Sequence, residues 1–450
     1  MDKKRIVDLT EGEIWKQLLK FVWPILVANI FQQLYNITNS MIVGNLMDTN
    51  ALGAVSAAGS ISILTGYFFY GIATAAGILV SNYFGSKDSA NVQKTVQTSL
   101  IFAVGLGILL TVLGELFVPA LLKYVNVRES IYRNAEIYMR IFLIGVTFQF
   151  IYNMSFFIMR SIGDSRHPLF FLIISCIVNI CLGYSFVKWF HMGVAGVAWA
   201  TNIAQLLVDI LALNALFRMD NSFRVDLRNI SLDMHIVKRL LSLGIPASLQ
   251  NMLIGISNVV VSSYVNLFSN QFIAGIGVAE KVANWAQIPM QAISTIGTNY
   301  VGQNMGARKY DRVQKGIRMC ILIGTAITLV CALAIFFNAE FFVGLFDRDP
   351  EVVKYGAAMT RYTVFAFVPL TWSHIYNGSC RGAGNVRIPM IVAVFTQCVC
   401  RYVFVYFGLK VMFDERIIYM SSAVVFTLAG ICAALYFNFS KWTKEAHLRP

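Results

Sequence analysis

Residues 160–168 read RSIGDSRHP, and residues 381–389 read RGAGNVRIP. Both stretches fit the pattern R-x-x-G-[DN]-x-R-x-P and lie 221 residues apart. The likeness continues around them. At the same shift VSNYFGSKDSANVQK (80–94) aligns with VGQNMGARKYDRVQK (301–315), and at a shift of 222 Pro24 aligns with Pro246. Agreement over so many positions indicates that the chain consists of two related halves.

The composition is typical of a membrane protein. Of the 450 residues, 57% are hydrophobic and 13% are charged, and the mean hydropathy is +0.64. A soluble chain carries about 25% charged residues, so the composition argues against a soluble enzyme, a nucleic-acid binder and a disordered chain. The net charge is +13, but the basic residues form short runs between long apolar stretches, as in polytopic membrane proteins.

The apolar stretches predict an all-α polytopic fold. A helix needs about 20 apolar residues to cross a bilayer, and by that measure we predict twelve transmembrane helices. The repeat maps the first six onto the last six, so the halves are two parallel six-helix repeats, which is a transporter architecture. The predicted domains are an N-lobe (1–217), a cytoplasmic linker (218–237) and a C-lobe (238–450).

The distribution of Lys and Arg predicts the orientation. Even-numbered loops and both termini hold 24 of the 36 basic residues, and odd-numbered loops hold 8. Positive loops stay in the cytoplasm, so we expect a multi-pass protein of the plasma membrane with both termini in the cytoplasm.

Polar side chains within the spans recur at helical spacing. Because polar groups in hydrocarbon are costly, such stripes face other helices or a water-filled cavity. One explanation is hydrogen bonding between helices, worth about 0.6 kcal/mol a pair; four stripes in one chain favour a hydrated central cavity. The candidate residues are Asn36 and Asn39 in span 1, Asn153 in span 4, Asn258 in span 7, Glu280 and Asn284 in span 8, and His374 in span 10.

Glu280 is the leading candidate for carrying a proton. Span 8 is predicted to start near Phe272, which places Glu280 about 12 Å along the helix, inside the bilayer core of about 30 Å. Loss of water there favours a neutral carboxyl group. Lys281 points about 100° away, whereas Arg401 from another span could form a purely structural ion pair with Glu280. The imidazole of His374 is the second candidate, because it titrates near neutral pH.

Several motifs together resemble one transporter family. They are LTEGEIWKQLLKF (9–21), QQLYN (32–36), GVAGVAWAT (193–201), VGQNMGA (301–307) and the two R-x-x-G-x-x-x-x-P loops. With these the chain resembles the multidrug and toxic compound extrusion (MATE) family over nearly its whole length. The resemblance implies two six-helix lobes that form a V around a central cavity, and export of organic cations or other amphipathic compounds in exchange for H⁺ or Na⁺.

The chain departs from the family at its usual N-lobe ion site. Many members of the family have an Asp in span 1, five residues before a Gly, and this chain has Asn39 at that position. Relatives with an N-lobe ion site often have an N-x-x-x-D pattern in span 5, and this chain has Gly183 where that pattern has its Asp. Asn179 and Thr201 match the family pattern. By this resemblance Asn36, Asn39, Asn179 and Thr201 form a neutral polar pocket without a titrating carboxylate.

The competing hypotheses differ in substrate and in class. We expect a secondary active exporter, with a flippase for a lipid-linked saccharide or another lipid from the same superfamily as the alternative. An intramembrane enzyme would need a catalytic pair or a metal motif, and we find neither, nor a nucleotide-binding loop. A transporter-like receptor or scaffold is the remaining option. We therefore expect a monomer that binds a small-molecule substrate within the lipid bilayer, no nucleic acid, no metal, and no cofactor beyond H⁺ or Na⁺ as coupling ion.

Overall fold

The computed structural model describes residues 7–47, 49–124, 127–218 and 232–439, and for Asn36 and some neighbours in the first two helices it describes the backbone only. The described part is helical and contains no strand. Most of the predicted linker, 219–231, lies outside the described residues. The helices are α1 (Ile14–Leu46), α2 (Thr49–Gly85), α3 (Ser89–Tyr124), α4 (Glu129–Ser161), α5 (Arg166–Lys188), α6 (Gly193–Phe217), α7 (Met234–Val265), α8 (Asn270–Gly306), α9 (Tyr310–Phe337), α10 (Ala339–Gly344), α11 (Pro350–Thr363), α12 (Phe367–Gly382), α13 (Arg387–Val394), α14 (Arg401–Val411) and α15 (Glu415–Phe439).

Two of the twelve predicted spans are interrupted helices. The tenth consists of α11, a 3₁₀ turn (Val364–Ala366) and α12, and the eleventh of α13, a π-helical turn (Phe395–Cys400) and α14. By length and hydropathy, ten helical segments within the described residues are apolar enough to cross a membrane. The two other long segments are α8, which carries Glu280 and Lys281, and α11 with α12. Charged and amide side chains lower the hydropathy of α8 below that of its neighbours.

The chain forms two compact units. The first comprises residues Met1–Asp8 and Trp23–Ser248, and the second Leu9–Val22 and Leu249–Pro450. The chain changes unit beside Pro24 in α1 and close to Pro246 in α7. A proline inside a helix removes one backbone hydrogen bond, so the two changes occur where α1 and α7 are weakened at equivalent repeat positions. The predicted lobe bounds, 1–217 and 238–450, stay a prediction.

The N-terminal segment is held by side chains of the second unit. Leu9 is fully buried, and its backbone amide donates to Oε1 of Gln303 over 3.0 Å. The remaining bonds come from the end of α8, the turn after it and the start of α9, and they reach the carbonyls of Leu9, Thr10, Glu11 and Gly12. Their donors are Asn304, Lys309 and Arg312. Because an unpaired buried carbonyl is costly, these donors give the segment before α1 a fixed path.

The repeated loop motif forms a matching turn in each unit. Gly163 and Gly384 adopt φ of +89° and +85°, a region that glycine enters without strain. The amide of Asp164 donates to the carbonyl of Met159 over 2.9 Å, and that of Asn385 donates to Cys380 over 2.9 Å. These are the bonds of a Schellman turn, which ends a helix by pairing its last carbonyls. The motif therefore encodes the reversal between two helices.

Substitution of Gly163 tests this turn. A Cβ atom at Gly163 would clash with the carbonyl oxygen of Val7, whereas one at Gly193, also with positive φ (+56°), meets nothing within 4 Å. The left-handed conformation costs an alanine about 1–2 kcal/mol, and only Gly163→Ala adds a clash to that strain. We expect Gly163→Ala to lower the melting temperature of the purified protein more than Gly193→Ala does. Equal losses would contradict this account of the turn.

Candidate functional site: a polar cluster in each unit

The first unit contains a neutral polar cluster at the meeting point of α1, α5 and α6. The hydroxyl group of Tyr35 forms hydrogen bonds with Asn39 and Thr201. Nδ2 of Asn179 donates to Oγ1 of Thr201 over 3.2 Å, and the hydroxyl of Thr201 donates to the carbonyl of Val197 over 3.0 Å. Asn179 is 1% exposed, and its Oδ1 has no hydrogen-bond partner among the residues that the structure describes. Asn39, Asn179 and Thr201 of the predicted pocket thus lie together, joined by Tyr35; the side chain of Asn36 lies outside the described part of the chain.

The chemistry of this N-unit cluster is that of amides and hydroxyls. At Gly183, where the family resemblance leads us to expect a carboxylate, a Cβ atom would lie 3.4 Å from Cδ1 of Ile42 and 3.8 Å from Cβ of Ala200. The position therefore packs between α1 and α6 and contributes no polar atom. Amide and hydroxyl oxygens attract a cation weakly without a carboxylate beside them. The cluster can hydrogen-bond a ligand, but Asn39, Asn179 and Thr201 cannot exchange protons near neutral pH.

The second unit contains a charged cluster centred on Arg401. Nη1 of Arg401 donates to Oδ1 of Asn258 over 2.6 Å, and Nη2 donates to Oγ of Ser422 over 3.4 Å. Its Nε is buried without a partner. Glu280 on α8 interacts electrostatically with this guanidinium group. The C-unit cluster therefore brings together three predicted residues, Asn258, Glu280 and Arg401, from α7, α8 and α14.

An irregular turn positions Arg401. The π-helical turn Phe395–Cys400 ends immediately before it, and such turns leave backbone groups without their regular α-helical partners. The hydroxyl of Ser257 donates to the carbonyl of Gln397 over 2.8 Å, and Sγ of Cys398 contacts the carbonyl of Leu253 at 3.4 Å. These contacts fix α7 against the turn, so that Asn258, the next residue after Ser257, meets Arg401.

The polar stripe of α8 lies on the surface of its unit. Glu280, Asn284 and Gln291 are exposed, and Gln287 is half-buried. Nζ of Lys281 lies 5.8 Å from the ring centroid of Phe346, away from the stripe. Exposed carboxyl and amide groups on a helix at membrane depth avoid lipid and face water or protein. This surface of α8 can therefore meet a solute.

Three predicted residues have no described contact with either cluster. Asn153 donates to the carbonyl of Gln149 in its own helix over 2.7 Å. His374 is half-buried, and its carbonyl oxygen accepts a hydrogen bond from Ser294 over 2.9 Å. Asn284 lies one helical turn from Glu280 without a hydrogen bond that the structure describes. Their inclusion in a site stays a prediction.

One buried carboxyl group is not among the predicted site residues. Asp209 on α6 is 2% exposed, and within the described residues neither of its carboxylate oxygens has a hydrogen-bond partner. Asn202, Gln205 and Asp209 are spaced i, i+3 and i+7, which is the same one-face spacing that led to the other stripes. The signal was therefore present in the sequence.

The fold and the polar clusters define a class, that of α-helical multi-pass membrane transporters built from two repeats. The MatE family model matches residues 24–185 and again residues 246–407. The two matches cover more than half of the chain, and their bounds differ by the 222 residues of the internal repeat. The chain belongs to the MatE family. The resemblance derived from the sequence motifs and the predicted all-α fold of two repeats are both confirmed.

Relatives and solved structures agree with this assignment. The chain is 27% identical over 436 residues to the "Probable multidrug resistance protein YpnP" of Bacillus subtilis, covering 97% of each chain. It is 26% identical over 396 residues to the "Probable multidrug resistance protein YoeA" of the same organism, covering 86% of this chain and 85% of the relative. An outward-facing MATE family transporter of the MOP superfamily superposes with a TM-score of 0.91 at 20% identity, covering 97% of this chain and 98% of that structure. The last comparison establishes a shared fold.

Proposed function

We propose that this protein exports cationic amphipathic organic compounds from the cell in antiport with H⁺. The observation that carries the proposal is the position of Glu280, exposed on α8 and electrostatically coupled to Arg401. The names of the relatives support a multidrug substrate range. The expected setting is the plasma membrane, with a monomeric chain and both termini in the cytoplasm.

Glu280 can exchange a proton for a substrate cation. An ionised carboxylate at that position attracts an organic cation, and a protonated one does not. Arg401 is held by Asn258 and Ser422, so it stays close to Glu280 and stabilises the carboxylate after its proton leaves. Proton binding from outside the cell then releases the substrate, and proton release to the cytoplasm restores the binding state. Alternating access supplies the two states that this exchange needs.

The neutral cluster of the first unit favours H⁺ over Na⁺ as coupling ion. Hard cations are held by several oxygen ligands that include carboxylates. The oxygens of this cluster are amide and hydroxyl oxygens, from Asn39, Asn179, Thr201 and Tyr35, and none belongs to a carboxylate. Oδ1 of Asn179 has no hydrogen-bond partner, so it is available to accept a hydrogen bond from a ligand. We assign this cluster to substrate recognition and the C-unit cluster to coupling.

Transport by the purified protein in liposomes tests the proposal. A fluorescent organic cation is offered under a pH gradient, under a Na⁺ gradient, or with neither. We expect accumulation against the cation's own gradient only with the pH gradient, and loss of accumulation on adding a protonophore. Accumulation driven by the Na⁺ gradient would mean that Na⁺, and not H⁺, is the coupling ion. Movement of a lipid-linked saccharide without any movement of the cation would favour a flippase instead.

Asn39→Ala separates recognition from coupling. The substitution removes a hydrogen bond to Tyr35 but no titrating group, so we expect about a tenfold loss of substrate affinity, equivalent to about 1.4 kcal/mol, and an unchanged pH profile. Thr38→Ala is the matched control, because the Thr38 hydroxyl donates to the carbonyl of Leu34 in its own helix. Substrate binding titrations over a pH series measure both quantities. A changed pH profile in Asn39→Ala would contradict the division of roles.

A further inference from the structure

Asp209 is a carboxyl group that the mechanism above does not use. It lies in α6, a helix of 25 residues, eight residues from the end at Phe217, or about 12 Å along the helix axis. Its side chain is 2% exposed, and both carboxylate oxygens lack a hydrogen-bond partner. One turn earlier on the same face, Nε2 of Gln205 is also buried without a partner. Two successive polar groups on one helix face are thus buried without any bond in the described part of the chain.

Within the described residues, the neighbouring helices bring no cation to Asp209. On the side of α4, Tyr152 interacts electrostatically with Asp209. Arg160, the basic residue near the end of α4, interacts electrostatically with Tyr152 and Tyr70. The helices α5 and α6 are antiparallel, and the bond between Asn179 and Thr201 sets their register. Asp209 is therefore level with the buried residues Phe171 and Leu172 of α5.

An ionised carboxylate in these surroundings has nothing to stabilise it. Removing a charge from water without a counter-charge or hydrogen bonds costs several kcal/mol, whereas the neutral acid loses far less on burial. The described conformation therefore suits a protonated Asp209. The proton can leave only if a change of conformation brings water or a hydrogen-bond donor to the carboxyl group.

Tyr152 connects Asp209 with the N-unit cluster. Besides Asp209, its electrostatic neighbours include Tyr35 and Cys176, and Tyr35 is bonded to Asn39 and Thr201. A change of charge at Asp209 therefore changes the electrostatic potential at the ring of Tyr152, which lies close to the cluster assigned to substrate recognition. From Thr201 to Asp209 is eight residues of α6, or about 12 Å.

We propose that Asp209 is a second proton-binding site of this transporter, protonated in the conformation described here and deprotonated in the other access state. In the second state the O–H bond of the acid breaks, the proton passes to cytoplasmic water and the carboxylate remains. This site supplies the first unit with the titrating group that Asn39 and Gly183 do not provide. The inference rests on the proposed H⁺ antiport and adds a second coupled proton to it.

The protonation state of Asp209 can be measured without transport. Infrared spectra of the purified full-length protein at neutral pH are recorded for the parent protein and for Asp209→Asn. We expect the difference spectrum to contain the carbonyl stretching band of a protonated carboxylic acid, and Asp209→Glu to shift that band without abolishing it. Asp164→Asn is the matched control. Asp164 is also fully buried, but its Oδ1 accepts bonds from the backbone amides of Arg166 and His167, so a band that only Asp209→Asn removes does not arise from the loss of just any buried carboxyl group. A difference spectrum without an acid band for Asp209→Asn overturns the proposal.

Coupling is measured by the limiting accumulation of substrate in liposomes. Each coupled proton multiplies the limiting concentration ratio by about ten for a gradient of one pH unit. Asp209→Asn should therefore lower the plateau about tenfold relative to the parent protein, and Asp209→Glu should restore it. If Asp209→Asn approaches the plateau of the parent protein more slowly but reaches it, Asp209 has a structural role and the proposed coupling through Asp209 is overturned. Absence of any accumulation by the parent protein would refute H⁺ antiport, and the infrared measurement would still decide whether Asp209 holds a proton.

Discussion

Glu280→Gln is expected to export its substrate at a rate that depends on pH less steeply than in the parent protein, because Asp209 is then the only proposed proton site that remains. Glutamine retains the size and polarity of the side chain but cannot ionise. In the parent protein, a rate controlled by one proton changes by up to about tenfold for each pH unit near the titration of that group. In the variant the contribution of Glu280 should disappear from the profile, and only the pH dependence that Asp209 supplies should remain. Transport rates in liposomes clamped at equal pH on both sides measure the profile.

Glu340→Gln is the matched control for this experiment. Glu340 is a carboxylate of the same unit, it is bonded to Arg361 over 3.2 Å, and its side chain is 67% exposed. Its loss should leave both the rate and the pH profile unchanged. If Glu280→Gln instead keeps the pH profile of the parent protein, coupling through the second unit is wrong. Na⁺ coupling or facilitated transport would then explain export better.

The fold could be predicted from the sequence because each level of the pattern has a local physical cause. Long apolar runs form helices in a bilayer, because only internal hydrogen bonds satisfy their backbone there. The repeated loop requires glycine at Gly163 and Gly384, where φ is positive, so these residues recur at the repeat distance. The interruption at Phe395–Cys400 was not predicted, because its side chains fit a regular helix equally well and contacts with α7 select the π-turn.

The candidate site was predictable within each helix and less so between helices. Spacing places polar residues on one face, but it does not say which residue of another helix that face meets. The structure describes a hydrogen bond from Asn153 to Gln149 in its own helix, and its place on a cavity wall stays a prediction. The hydroxyl of Tyr35 joins Asn39 to Thr201, a role that the spacing of polar residues does not indicate. Such roles depend on tertiary contacts.

The electrostatic interaction between Glu280 and Arg401 predicts the other large effect. Arg401 donates hydrogen bonds to Asn258 and Ser422 and interacts electrostatically with Glu280. Its removal therefore leaves the carboxylate of Glu280 without its cation and the amide oxygen of Asn258 without its donor. Because Glu280 is exposed in its unit, most of the loss comes from the hydrogen-bond partners that Arg401 leaves behind. A buried polar group left without its partner costs about 1–3 kcal/mol, and we expect Arg401→Met to lower the free energy of unfolding by that amount.

Removal of both charges is expected to recover part of this loss. The double variant Glu280→Gln, Arg401→Met leaves no unpaired carboxylate, so its melting temperature should exceed that of Arg401→Met alone. Directly interacting residues show coupling energies of about 0.5–3 kcal/mol, and the double-mutant cycle measures this quantity. Arg361→Met is the control, because its pair with Glu340 is solvent-exposed and exposed pairs contribute about 0–1 kcal/mol. Strictly additive losses at Glu280 and Arg401 would mean that the two side chains do not stabilise each other. Arg401 could then not hold the deprotonated state of Glu280, and the proposed exchange of a proton for a substrate cation would lose its physical basis.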